Sequence, residues 1–278
     1  MNRQDRKERL DRLLGERRPD LSRSRIQAEI MAGNVLVNGS VSDKPGTLYH
    51  NTVDIELRET ENPYVSRGGL KIEGALQEFS IDVNGLVILD VGSSTGGFTD
   101  CLLQNGAKLV YALDVGYGQL AVGLRNDPRV VVMERLNVRH LKRQDLDTLP
   151  DLAVVDVSFI SLSKVLPVLK ELNIHTVLAL VKPQFEVGRA DAGKSKGVIR
   201  DPELHQEVLK NVVGFACSAG YCTRGITFSR WPGPKGNIEY FIYLVTDADQ
   251  GCKCRSDYAS RIDRAIDQAH HILIDKKK

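Results

Sequence analysis

No apolar run in the 278-residue chain approaches the roughly 20 residues that a helix needs to cross a bilayer, and runs such as TVLALV and LAVV are the length of single strands. The opening MNRQDRKERL carries charges with no apolar segment behind them, so no secretory signal is expected, and a soluble cytoplasmic protein is. The five cysteines, at positions 101, 217, 222, 252 and 254, form no repeated Cys-x-x-Cys pattern and have no histidine pair at zinc-ligand spacing. Reduced thiols and no metal centre follow, and the close pair Cys252 and Cys254 is too isolated to argue otherwise. A formal net charge of +2 does not by itself call for a nucleic-acid partner. Any such partner must be read from where the charges sit. The 42% hydrophobic content suffices for an ordinary globular core.

What is present is uneven. RQDRKERLDRLLGERRPDLSRSR gathers Arg3, Arg6, Lys7, Arg9, Arg12, Arg17, Arg18, Arg23 and Arg25 into one short region, with acids between them. Leu10, Leu13 and Leu14 share one helical face there. A second helix follows, with Ser22 as N-cap, Ile26 and Ile30 one turn apart, and Gly33 as a stop. NVLVNGSVSDKPGTLYHNTVDIEL then alternates apolar and polar residues around an Asn38-Gly39 turn. A small α+β domain over residues 1–60 is expected. This order, and the text SRSRIQAEIMAGNVLVNG within it, resembles the small RNA-binding domain of the ribosomal-protein-S-four type over most of residues 6–58. The resemblance implies that Arg6, Arg9, Arg23 and Arg25 meet RNA phosphates, a task that suits the arginine fork. The plainer alternative is a solvated helix face.

RETENPYVSRGG, polar and holding Pro63 and paired glycines, reads as a linker at residues 61–67. Arg67 at its end joins the candidate RNA-facing residues. Beyond it, residues 68–278 alternate strand-like runs with helix-sized stretches, as crossovers between parallel strands require. The last two strands, joined by WPGPKGN, are close enough for an antiparallel pair. A terminal helix spaces Tyr258, Ile262, Ile266 and Ala269 along one face. The fold class is α/β, a doubly wound Rossmann-like sheet of seven strands with the last antiparallel.

Its first strand runs into LDVGSSTGGFTDCLLQNGA, where Asp90 stands near the strand end and Gly92, Gly96 and Gly97 allow a ligand close to the backbone. Ser93 and Phe98 belong to the same loop. The spacing G-x-x-x-G-G departs from the nicotinamide fingerprint and resembles the loop of Rossmann-like methyltransferases that bind S-adenosyl-L-methionine. Asp114 ends the next strand about 20 residues on, where a carboxylate can bond ribose hydroxyls. After the third strand, Asn137 either faces an adenine or caps its turn.

Four polar residues converge on the same sheet edge, because ligands of open parallel sheets bind at the carboxyl ends of strands. Lys182 ends the apolar TVLALV, Asp156 ends LAVV, Glu239 begins the antiparallel strand, and Lys71 lies in the helix after the linker. Such a set resembles ribose 2′-O-methyltransferases of the FtsJ type. With VSRGGLKIEGAL, VVDVSFISL, LVKPQFEVGR, GVIRDPELH and GPKGNIEY, nearly the whole chain resembles the TlyA family, some members of which are labelled haemolysins. The resemblance implies methylation of ribosomal RNA riboses within ribosomal subunits, often at cytidine, with S-adenosyl-L-methionine as cofactor. No DNA partner is expected, and the lack of a signal peptide, spanning helix or amphipathic apolar hairpin argues against stable membrane association. A neutral Lys182 is one candidate to take the hydroxyl proton, and a charged one would steady the alkoxide. Asp156 and Glu239 would orient the lysines and the hydroxyl. The competing readings are a structural ion-pair network, a non-enzymatic ribosome-binding factor on the same scaffold, and a membrane-active haemolysin. The polar loop after Lys182, with Arg189, Lys194 and Lys196, is a candidate cover for the RNA backbone. Phe185 and Trp231 are candidates to stack a base or simply to pack.

Overall fold

Spaced leucines and isoleucines build the first unit, Met1–Arg67, of a chain that divides into two. The computed structural model describes residues 7–21, 23–31, 33–57, 62–187, 198–246 and 258–274. Arg3, Arg6, Ser22, Arg189, Lys194, Lys196, Cys252 and Cys254 lie outside them, and so do the expectations that rest on those residues.

Strand β1 (Lys7–Arg9) leads into helices α1 (Leu10–Arg17) and α2 (Arg23–Met31). Strands β2 (Val35–Val37), β3 (Ser40–Val41), β4 (Leu48–His50) and β5 (Ile55–Leu57) follow. Leu10, Leu14, Ile26, Ile30, Val35 and Val37 form a six-residue buried core. At about 2 kcal/mol for each buried aliphatic side chain, that is a modest reserve, as expected of so small a unit. Helix α2 stops where Gly33 turns left-handed (φ +74°) and donates its N–H to the Ile30 carbonyl at 2.9 Å. Asn38 and Gly39 both have positive φ, +49° and +77°, the requirement of a two-residue hairpin turn between β2 and β3. Strand β2 pairs on its other side with β5, and β1 pairs with β4, all antiparallel.

The second unit, Gly68–Lys278, opens with α3 (Gly68–Phe79). Then come β6 (Val87–Val91), α4 (Gly97–Gln104), β7 (Leu109–Leu113), α5 (Val122–Arg125), β8 (Val130–Met133) and β9 (Leu152–Val155). The remainder is α6 (Leu166–Glu171), β10 (Thr176–Val181), α7 (Pro183–Glu186), α8 (Pro202–Ser218), β11 (Cys222–Phe228), β12 (Tyr240–Val245) and α9 (Tyr258–Leu273). The seven strands form one sheet in the order β11-β12-β10-β9-β6-β7-β8. Strand β12 runs antiparallel to both its neighbours, while the β6, β7, β8, β9 and β10 pairings are parallel. The central strands β6, β9 and β10 are buried nearly end to end because helices cover both faces, which explains their unbroken apolar text. On α9, Ile262, Ala265, Ile266 and Ala269 are buried, the face expected from their spacing.

Two connections depart from the expected helix-sized crossovers. The β7–β8 link holds only the single-turn α5, and the β8–β9 link holds two short 3-10 turns, Val138–His140 and Arg143–Asp145. Buried Val138, Leu141 and Leu146 anchor the second link to the core, so the crossover is held without a helix. Among the described residues, no helix is long and apolar enough to cross a membrane.

A bulge in β11 between Thr223 and Gly225 lets the ring of Phe79 lie on the strand, where it also stacks on Tyr243 at 5.7 Å. A Cβ on Gly225 would stand 2.7 Å from Phe79 Cδ1. Gly225→Ala is therefore expected to destabilise the protein by about 2 kcal/mol through overpacking. Thermal melting checks this, and an unchanged melting temperature would mean that the ring moves freely.

Candidate active site

Sheet register alone brings the polar residues together. Val91 pairs with Leu113 on one side and Val155 on the other, and Val181 pairs with Tyr240. The residues just past these positions are Asp114, Gly92, Asp156, Lys182 and Glu239. They lie at one sheet edge in the lateral order Glu239, Lys182, Asp156, Gly92, Asp114. With strands about 4.8 Å apart, the row spans roughly 20 Å.

Lys182 follows β10 directly and Pro183 starts the short α7 behind it, so the amine is fixed at the edge. Its Nζ lies 2.6 Å from Asp156 Oδ1 and donates to Ser158 Oγ at 3.0 Å. The side chains of Lys182 and Asp156 are 11% and 22% exposed. Lys71, in the first turn of α3, donates to Glu239 Oε2 at 2.7 Å, with side-chain exposures of 12% and 0%. The structure thus forms two lysine–carboxylate pairs, one open to a ligand through both members and one through its lysine. Glu239, expected to orient a hydroxyl, is too buried to touch one. Its other oxygen, Oε1, has no hydrogen-bond partner among the described residues.

Beside the first pair lies a cavity of about 510 Å³ whose lining includes Gly92, Ser94, Asp114, Gln119, Asn137 and Asp156. Gly92 has φ +92°, and a Cβ there would stand 2.5 Å from the Asp156 carbonyl oxygen, so the backbone approach is open to glycine alone. Asp114 accepts the Gly116 N–H on Oδ1 at 2.6 Å and the Ser94 N–H on Oδ2 at 2.8 Å. Asn137 lines the cavity and also caps its turn, accepting the Arg139 N–H at 3.1 Å.

Other candidates lie elsewhere. Ser93, Gly97 and Phe98 are buried and do not line the cavity, and Phe98 stacks on Phe241 at 6.2 Å. Gly96, at φ +96°, faces Leu120 and Leu124, so its missing side chain admits the α5 region rather than a ligand. Trp231 does not line the cavity either. Ser94, Gln119, Ser158 and Phe159 do line it, and sequence reasoning passed over them. Phe159 is 90% exposed at φ +65°, with its ring 4.8 Å from that of Phe185. Its position directly after the Asp156 strand end was the available signal. Glu186 accepts from Ser161 Oγ at 2.6 Å and the Leu162 N–H at 2.8 Å, tying α7 to the segment that carries Ser158 and Phe159. Burial pushes its carboxyl up.

In the first unit, Arg9 donates Nε and Nη2 to Asp11 at 2.9 and 2.8 Å, which engages two of its five N–H donors. These bonds hold the Asp11 carboxyl down at about 2. A cavity of about 590 Å³ there is lined by Arg9, Arg12 and Arg23 together with Asp11 and Glu16. Arg23 is exposed, Arg25 lies within α2, and Arg67 is the last residue of the unit.

Strand order, glycine turn and strand-end acids define a Rossmann-like α/β protein with a cavity at the carboxyl ends of its parallel strands. The chain belongs to the FtsJ-like methyltransferase family, whose sequence pattern matches residues 64–246. An S4 domain pattern matches residues 8–50. The chain is similar to a provisionally described rRNA methyltransferase, YqxC, of Bacillus subtilis, with 47% identity over 98% of this chain and 97% of the relative. It is similar to the 16S/23S rRNA (cytidine-2′-O)-methyltransferase TlyA of Mycobacterium tuberculosis, with 44% identity over 90% and 95%. A solved structure from Streptococcus thermophilus, provisionally described as a hemolysin, shares 42% identity and a TM-score of 0.76 over 98% of both chains.

Asp90 supplies a pH test. It is wholly buried; its Oδ2 accepts from Thr99 Oγ1 at 2.6 Å, and its Oδ1 has no partner among the described residues. Burial pushes its carboxyl from 3.8 up to about 7, against the Thr99 bond and with help from Asp156 and Asp114. The folded state therefore holds a proton that the unfolded state releases. The stability from this group is fully present below the unfolded value and is lost as pH rises toward 7. Asp90→Asn removes that dependence. Its melting temperature minus that of wild type should rise between about pH 4 and 7; a flat or falling difference would contradict the burial of the charge.

Proposed function

We propose that the protein transfers a methyl group from S-adenosyl-L-methionine to a ribose 2′-hydroxyl of ribosomal RNA, at cytidine as in the mycobacterial relative's name. The observation that carries this reading is the Lys182–Asp156 pair, with Asp156 also lining the cavity that holds Gly92 and Asp114. Ribosomal subunits are the proposed partner and the cytoplasm the proposed place of action. The exposed arginines of the S4-type unit suit RNA phosphates.

The residues fit the cofactor. Each Asp114 oxygen accepts one backbone N–H and keeps a lone pair for a ribose hydroxyl. Gly92 lets the Asp156 backbone close against the loop, so that both line one cavity. The Asp114 carboxylate puts negative charge on the cavity wall, which favours a cationic ligand and opposes the pyrophosphate of a dinucleotide. S-adenosyl-L-methionine, when bound, supplies an electrophilic methyl group on a sulfonium.

A ribose hydroxyl is a weak nucleophile until its proton leaves. Beside Lys182 it can lose that proton with the charges balanced: the amine passes a proton to Asp156 and takes the one leaving the hydroxyl. The carboxylate is then the final acceptor, and the amine faces the developing alkoxide as a cation. Ser158, bonded to the same amine, fixes its direction. Glu239 acts by holding Lys71 at the neighbouring strand end, not by touching the hydroxyl. Orientation by this row accounts for a large share of the rate.

The test is transfer of labelled methyl to ribosomal subunits that lack the modification, with the label mapped by nucleoside analysis. Label on a ribose 2′-oxygen is expected, and label on a base would overturn the reading. Asp114→Ala should weaken cofactor binding about 100-fold, as loss of two charge-assisted hydrogen bonds implies. Calorimetry checks this, and unchanged affinity would remove Asp114 from the site.

A further inference from the structure

We infer that Gly233 is a positioning residue for the Lys71–Glu239 pair, a role that rests on the proposed function of that pair. The turn between β11 and β12 contains two glycines with different reasons to be there. Gly236 has φ +80° and open space where a Cβ would go, so its need is conformational. Gly233 is not among the glycines with positive φ, so its backbone would accept alanine. What forbids a side chain there is the Glu239 carboxylate: a Cβ on Gly233 would stand 2.5 Å from Glu239 Cδ and closer still to Oε1.

The backbone around this contact is tied on every side. The Gly233 N–H donates to the Asn237 carbonyl at 2.8 Å, and the Gly236 N–H donates to the Gly233 carbonyl at 3.1 Å. The Ser229 N–H donates to the Glu239 carbonyl at 2.8 Å, and the Ile199 N–H donates to Asn237 Oδ1 at 3.0 Å. The softest partner is therefore the Glu239 side chain. That side chain is wholly buried, so it has no solvent to swing into. Any atom added at Gly233 displaces the carboxylate that holds Lys71 at 2.7 Å, and the loss appears in the placement of the amine.

The test is a double-mutant cycle on the full chain with Gly233→Ala, Glu239→Ala and the double variant. It reads methyl transfer, cofactor affinity and melting temperature. Gly233→Ala should lower kcat about 10–100-fold, the cost of a misplaced catalytic-edge group. The KM for ribosomal RNA and the Kd for cofactor should stay within about twofold, since the displaced carboxylate is buried and no residue of the turn lines the cavity. Once Glu239→Ala has vacated the space, adding Gly233→Ala should change melting temperature by under about 1 °C and kcat by less than about twofold. Wild-type kcat in Gly233→Ala, with Glu239→Ala impaired, overturns this inference and leaves the proposed function standing. An equal loss of melting temperature in both backgrounds also overturns it, because the glycine would then be packing against something else. Should Gly233→Ala alone not fold, the double variant against Glu239→Ala still decides. Wild-type turnover by Glu239→Ala overturns the role of the pair and the positioning role together.

Discussion

Two amines sit at the edge of a sheet whose interior is otherwise apolar, and each is held by a carboxylate. The arrangement is costly in isolation, since a lysine drawn out of water must recover its hydration from a partner. It is stable here because strand register places Asp156 and Glu239 within reach of the two amines. Asp156 follows β9 and Lys182 follows the adjacent β10, while Glu239 precedes the antiparallel β12 on the other side of β10. The same register sets Gly92 and Asp114 at the ends of β6 and β7. One geometric constraint thus places both the group proposed to handle the hydroxyl and the groups proposed to hold the cofactor.

The exposures within that row divide the labour. Asp156 lines the cavity and Lys182 beside it keeps some exposure, whereas Glu239 is closed off and is proposed to act through Lys71. The enclosure of Glu239 extends into the turn before it, where glycine leaves room for the carboxylate. Backbone close approach at Gly92 and side-chain close approach at Gly233 are thus two uses of the same missing methyl. The first lets the Asp156 backbone close against the glycine loop, and the second leaves room for a buried carboxylate.

Much of this was legible in the sequence. An apolar run ending on Lys182 and another ending on Asp156 pointed to one edge because open parallel sheets bind ligands there. The antiparallel last strand followed from the short WPGPKGN link, and the Asn38-Gly39 hairpin from its two residues. Burial was less legible. Gly97 and Phe98 sit in the glycine loop text yet are buried, because the first turn of α4 presents them inward, and Ser93, ahead of the helix, is buried as well. The fork of Arg9 is turned to Asp11, only two residues away, a pairing that a tally of basic residues conceals. The β8–β9 crossover runs without a helix because scattered Val138, Leu141 and Leu146 anchor it, a pattern with no period to detect. Phe159 and Ser158 were overlooked because their importance lies in following Asp156, not in any motif of their own.

The central claim is that the amine at the end of β10 handles the hydroxyl proton. Single-turnover methyl transfer by Lys182→Ala, with cofactor affinity measured on the same preparation, tests it most directly. Cofactor binding near the wild-type level with methyl transfer reduced by about 100-fold or more is the predicted result, since the proton relay and the cation facing the alkoxide are both removed. Transfer at the wild-type rate would contradict the account and reduce the Lys182–Asp156 pair to a structural ion pair.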